Sequence, residues 1–311
     1  MRFSCLQQLF LGLLCTFFLC SGSALAVPKN EETLFIELKA RAEEGDARSQ
    51  YLFARLLEEG LGVTKDIETA LYWYRQSAQK GDSEAQFALG NLLVKQADAP
   101  QNNTEGMTWL VRAAKQGHLL AQTTLASIYE TGSFGQKRND QESVHWLREA
   151  AKKEDAKAQY ALGMSYLKGQ GSKTDQKEAI KWLTLSAQQG FLQAQAQLAM
   201  IYFSKLGSPE TDREALKWFK EAAAKGHASS LYMLGFIFNN GQVVPEDQVL
   251  AYALFSLSAH ANAQASNPAL RILSDFSRQL TPSEMAEAQA LMQDMQKEGN
   301  FIKAMDAYLS R

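Results

Sequence analysis

A leucine or phenylalanine, a small residue beside it and a bulky residue four positions on recur through most of this chain. Leu162, Gly163 and Tyr166 are one set. Offsets i, i+1 and i+4 share one face of an α-helix, so the pattern predicts a helix packed along that face. The larger positions in register are Phe53, Leu89, Leu125, Leu198 and Leu234, followed by Leu57, Leu93, Tyr129, Tyr202 and Phe238. Between them stand Ala54, Gly90, Ala126, Ala199 and Gly235, small enough to let a neighbouring helix approach closely. Three residues before the leucine position, Gln50, Gln86, Gln122, Gln159 and Gln195 keep the same phase.

A second helix follows each of these. Trp73, Trp109, Trp146, Trp182 and Trp218 are spaced 36, 37, 36 and 36 residues apart, and one more period reaches Leu254. A small residue and an alanine come four and five positions later, as in Ser77-Ala78 and Ala222-Ala223. Gly81, Gly117, Glu154, Gly190, Gly226 and Asn262 then mark the helix end. Glycine tolerates the left-handed conformation that closes a helix, and asparagine can adopt it too. Glu154 is the exception, in the repeat that is one residue longer.

A helix pair of this kind cannot bury its apolar face alone, so neighbours must stack into a continuous core. The predicted fold is all-α: a right-handed α-solenoid of six antiparallel helix-pair repeats over 46–262, with helical caps at 27–45 and 263–311. In the first cap Leu38, Ala42 and Gly45 fall one period before Tyr74, Ala78 and Gly81, with Glu37 at the tryptophan position. In the second, Asn267-Pro268 opens one helix. Thr281-Pro282-Ser283-Glu284 is a capping box that opens another, to about Lys297, and a short helix follows over 301–309.

At this point the residues resemble a known family. The string Ala158-Gln-Tyr-Ala-Leu-Gly-Met-Ser-Tyr-Leu-Lys-Gly-Gln-Gly171 is similar to the first helix and Gly-x-Gly connector of a Sel1-like repeat, a cousin of the tetratricopeptide repeat. Lys177-Glu-Ala-Ile-Lys-Trp-Leu-Thr-Leu-Ser-Ala-Gln-Gln-Gly190 is similar to its second helix. The second repeat departs from the pattern, because its connector Lys95–Asn103 lacks Gly-x-Gly. The resemblance implies scaffolding by protein contact. Exported bacterial members act as adaptors, envelope regulators or host-interaction factors. Some cysteine-rich members are associated with β-lactam binding, and their cysteine pairs are absent here. A cell-wall-active or β-lactam- or peptidoglycan-binding protein is the alternative reading.

Residues 1–26 stand apart. Arg2, the apolar run Leu9–Leu19 and Ala24-Leu25-Ala26 together read as a cleavable signal peptide, which predicts a periplasmic or secreted protein beginning at Val27. No later segment is apolar enough for a membrane span. Cys5, Cys15 and Cys20 all lie in this segment, so the mature chain has no disulfide or thiolate metal site. Phe17, Phe18 and Leu19 before Cys20 argue against lipidation there. Charged residues make up 21% of the chain and the net charge is −2, which gives no basic footprint for nucleic acid.

Chemistry-bearing constellations are sparse. His118, His145, His227 and His260 have no metal-ligand spacing; His118 and His227 share a phase that suits helix capping, and His145 suits a helix surface. Ser77-x-x-Lys80 matches a nucleophile motif, but Ser77 occupies the small packing position. No strand precedes Gly60-Leu61-Gly62 or Gly169-Gln170-Gly171, so both read as turns rather than phosphate loops. No catalytic residue, cofactor or metal is expected. The expected partner is another protein.

The resemblance implies that the first helices line the concave face. Two positions after the leucine, off the packed face, stand Arg55, Asn91, Ser127, Met164, Met200 and Phe236. The position just before the leucine ends similarly, with Gln197 and Met233. The trend from polar to apolar suits a groove that holds a partner helix or extended segment at its C-terminal half. It equally suits contact with the C-terminal cap, if the superhelix twists these positions into it.

Overall fold

A computed structural model describes residues 31–96, 100–241, 243–264 and 266–311. The signal-peptide reading, the three cysteines and part of the second connector lie outside these residues. The described chain is helical, an α-solenoid of helix pairs, and it falls into two compact units. One runs to residue 128 and includes 132–137; the other comprises 129–131 and 138–311.

In the first unit α1 (Glu31–Glu43) packs on the hairpin of α2 (Ala47–Glu59) and α3 (Ile67–Gln79). The hairpin of α4 (Ser83–Lys95) and α5 (Pro100–Lys115) packs on α3, and α6 (Leu119–Thr131) follows. In the second, α7 (Asp140–Ala151) packs on α8 (Ala156–Lys168), which pairs with α9 (Gln176–Gln188). Two more hairpins follow: α10 (Leu192–Phe203) with α11 (Pro209–Ala224), and α12 (Ala228–Asn240) with α13 (Gln248–Ala261).

Each pair is held by the residues of the repeat pattern. Leu89, Leu125, Leu162, Leu198 and Leu234 are fully buried. In the second repeat Gly90 of α4 lies against Gly106 of α5, so close that a Cβ at position 90 would stand 2.8 Å from the Gly106 carbonyl oxygen. Trp109, Trp146 and Trp218 are buried, while Trp73 and Trp182 are half-buried. Three indoles are tied one helical turn back, Trp109 to Glu105 (3.3 Å), Trp182 to Glu178 (3.1 Å) and Trp218 to Glu214 (2.9 Å). The connectors close in a common way: the amide of the second helix's N-cap residue donates to a carbonyl of the first helix. Asp66 bonds Leu57, Asp175 bonds Tyr166 and Asp247 bonds Phe238, at 2.9–3.1 Å.

The in-phase glutamines have a shared role. Each Nε2 of Gln50, Gln86, Gln122, Gln159 and Gln195 donates to a carbonyl in the last turn of the preceding helix: Ala42, Ala78, Ala114, Ala151 and Ala187, at 3.0–3.2 Å. Those carbonyls lie at a helix end, where intrahelical partners run out, so the buried amides form a ladder that joins successive repeats. A second residue, seven after the tryptophan, clasps the turn. Gln116 and Gln189 donate to the Oε1 of Gln86 and Gln159 (2.7 and 2.8 Å). Lys80 and Lys225 reach instead the carbonyls of Gly45 and Gly190, and Gln116 also reaches that of Gly81 (3.2 Å).

The helix ends follow the expected phase with one correction. Gly81, Gly117, Gly190 and Gly226 have positive φ, and so does Glu154, at 63°. A side chain in that conformation costs about 1 kcal/mol or more. Glu154→Gly is therefore expected to raise stability by about 0.5–1 kcal/mol, read as a higher urea midpoint at unchanged slope. Asn262 is not left-handed: it is extended, with φ −140° and ψ 95°. The side-chain amide of Asn267, one period after Leu231, closes this end by donating to Ser258 and Asn262 carbonyls (2.9 and 2.8 Å).

The C-terminal helices are α14 (Pro268–Gln279), α15 (Pro282–Gln296) and α16 (Phe301–Leu309). Asn267 caps the first, and the Thr281–Glu284 capping box opens the second. They do not extend the repeat. Both α14 and α15 pack on α13, and α16 folds back on α15 and α11. Lys220 meets Asp306 at 2.6 Å, and the Tyr308 hydroxyl reaches Asp247 at 3.3 Å.

Candidate partner-binding face

The positions named from sequence on the first helix of each repeat change in character along the chain. In the first unit they are polar. Arg55 pairs with Glu59 one turn on. Arg48 lies over the Tyr51 ring (4.7 Å) and 3.7 Å from Asp82. The buried Tyr74 hydroxyl donates to Glu58 at 2.6 Å, and burial pushes its pKa up. Asn91 is half-buried and Ser127 exposed.

The second unit carries the apolar positions. Met200 on α10 is 46% exposed. Met164 on α8, and Met233 and Phe236 on α12, are half-buried and packed against the core cluster. Phe236 meets Phe203 edge-on, ring centroids 6.4 Å apart, and Gln197 is half-buried. The cap packs mainly on α13 and α11, the second helices of their pairs. The positions named from sequence thus divide: Met200 is exposed, while Met164, Met233 and Phe236 combine packing with partial exposure.

His118 and His227 each cap a first helix. Their Nδ1 atoms accept the backbone N–H of Ala121 and Ser230, both at 3.2 Å, where three other repeats use aspartate and the fifth has Phe191, which makes no side-chain cap. His118 also stacks on Phe87 (4.6 Å) and places Nε2 3.4 Å from Glu84, whose carboxyl this hydrogen bond holds below its ordinary value. Burial holds the His227 pKa below its ordinary 6.5. Only the neutral ring can accept the Ser230 N–H. The unfolded chain therefore takes up the proton first as pH falls. The stability contributed is complete above about pH 6.5 and is lost as pH falls through the folded pKa. Replacing His227 by aspartate is expected to remove that loss, seen as a flatter dependence of the melting temperature between pH 7 and 5.

His145 lies on a helix surface, edge-on to Trp146 (4.8 Å). Ser77 is buried, with its hydroxyl donating to the Ala47 carbonyl at 2.6 Å, and Lys80 engages Gly45. Both members of the Ser-x-x-Lys motif are thus used in packing: Ser77 ties the two helices of its own repeat, and Lys80 ties that repeat to the turn after α1. Among the described residues no group of three or more His, Cys, Asp or Glu could hold a metal ion. No described helix is long and apolar enough to cross a membrane.

Sequence reasoning missed the glutamine ladder's partners and the fold-back of the cap. The register of the glutamines was the available signal for the first. For the second there was none, because Lys220 and Asp306 are distant in sequence.

The repeat matches a family profile, Sel1 repeat, at residues 47–82, 83–118, 119–155, 156–191, 192–227 and 228–262. Among curated proteins no significant sequence match is found. Among solved structures, a protective antigen of uropathogenic Escherichia coli with this repeat fold is 26% identical, with a TM-score of 0.65. The match covers 96% of this chain but 62% of the antigen's length. A Sel1 repeat protein of Oxalobacter formigenes is 25% identical, with a TM-score of 0.55, covering 86% of this chain and 75% of that one. Sel1 repeats generally serve as scaffolds for protein–protein interaction. Six consecutive matches take in every helix pair from α2 to α13, and the chain belongs to the Sel1 repeat family.

Proposed function

We propose that this protein is a periplasmic or secreted interaction scaffold, which binds a segment of another protein along its first-helix face and regulates an envelope protein or contributes to host contact. The observation that carries this reading is Met200: a large apolar side chain, 46% exposed, in register with half-buried Met164 and Phe236 of the adjacent repeats, on a first helix, whereas the cap packs mainly on second helices. Methionine is flexible and polarizable, which suits it to a partner surface. The likeness to a protective antigen supports an exported location, as does the leader-like segment at residues 1–26.

Met200→Lys is the informative substitution, because an exposed side chain can change without disturbing the core. Crosslinked capture from envelope extract is expected to recover a protein with the parent and to lose it with Met200→Lys at an unchanged helical spectrum. Equal capture by both would remove this face from the mechanism.

A further inference from the structure

The sixth repeat breaks two rules that the others keep. Its ladder position is Leu231 instead of glutamine, although the next station, Asn267, is an amide again. Its clasp position is Ala261, where the five earlier repeats have Lys80, Gln116, Lys153, Gln189 and Lys225. Among the described residues, the Ala223 carbonyl therefore lacks the glutamine donor that Ala187 has. The Gly226 carbonyl lacks the long-side-chain donor that Gly45, Gly81 and Gly190 have.

Both residues line a half-open cleft of about 530 Å³ that the folded-back cap borders. Leu231, Leu257, Met295 and Phe301 form apolar walls, each less than a tenth exposed. This volume lies in the range of ligand pockets. The C-terminal ends of α11 and α13 border it, and a helix C-terminus favours a cation. The rim carries Glu298, His260 and Lys297. Lys297 is already engaged by Asp294 at 2.5 Å, and His260 Nδ1 lies 2.9 Å from the Ser256 carbonyl.

We propose that this cleft receives a lysine side chain of the bound partner. Its methylenes lie along the apolar walls, and its ammonium donates to the Gly226 carbonyl. The template is within the same chain: Lys225 and Lys80 place their ammonium groups on Gly190 and Gly45 in the same way. In the sixth repeat the partner supplies what Ala261 lacks. The inference rests on the scaffold reading, and a free alkylamine has the same recognition chemistry.

Three measurements on the purified protein test it. Titration with N-acetyl-lysine methylamide is expected to shift the Met295 methyl resonance saturably, at millimolar concentration. The norleucine analogue, which keeps the carbons and lacks the ammonium, is expected to bind at least tenfold more weakly. Ala261→Lys restores the clasp within the chain, and should abolish the shift and weaken the partner at least tenfold. No shift with the lysine compound, or equal shifts with both, overturns the proposal. Lysine binding with partner affinity unchanged in Ala261→Lys overturns it too, and leaves a free-amine site. Failure of the scaffold reading is distinguishable: the parent then captures no protein from envelope extract, whatever the amine titration shows.

Discussion

Valine at position 90 is expected to destabilise the first unit by about 3 kcal/mol. Gly90 faces Gly106 across the α4–α5 hairpin. A Cβ there would stand 2.8 Å from the Gly106 carbonyl oxygen and 2.9 Å from the Leu110 amide nitrogen. Both are backbone atoms, so α5 must move away from α4, and the fully buried Leu89, Leu93 and Leu110 lose their contacts. Ala54 and Ala70 occupy the corresponding positions of the first repeat, both fully buried, so that pair is already spaced for two methyl groups. Ala54→Gly is accordingly expected to cost only about 1 kcal/mol, the helical penalty of glycine with a small cavity. Urea unfolding followed by circular dichroism compares the two. A Gly90→Val variant as stable as the parent would mean that the hairpin does not depend on this close approach.

The second large effect is expected at Phe255. Its ring is fully buried, against Tyr232 (5.4 Å) and Phe276 (5.8 Å), and fills the space beside Gly235, where a Cβ would stand 2.9 Å from the ring. It therefore joins the sixth repeat to α14. Truncation to alanine removes a buried aromatic and leaves a cavity, at about 3–5 kcal/mol. In a repeat protein such a loss acts mainly on neighbouring elements. Hydrogen exchange is expected to accelerate in α12–α16 and to stay unchanged in α1–α5. Uniform acceleration throughout would show that the chain unfolds as one cooperative body.

Much of this structure was legible because a stacked helix pair imposes a period. The even spacing from Trp73 to Trp218 follows from the fixed length of a stacked helix pair, and the small pairs after them revealed where helices approach. The Thr281–Glu284 capping box and Asn267-Pro268 marked the C-terminal helices, since caps are local chemistry. Contacts made by the fold-back of α16 were not legible, because Lys220 and Asp306 carry no mutual signal along the chain. The left-handed end expected at Asn262 failed for a related reason: Asn267 reaches back to the carbonyls that such a turn would have served. Periodicity likewise could not separate Met200 from Met164, since exposure at a fixed phase depends on what the neighbouring helix presents. The exchange of Gln for Leu231 and of Lys or Gln for Ala261 was visible in the alignment of repeats. Its meaning required the ladder and the clasp to be seen first.

The central claim is that the face around Met200 contacts another protein. The most direct measurement is photocrosslinking from a probe residue placed at position 200, with a second at Lys181, on the second helix of its pair, as control. A single partner band from position 200 and none from position 181 is the expected result. Equal labelling from both positions, or labelling from 181 alone, would contradict the claim.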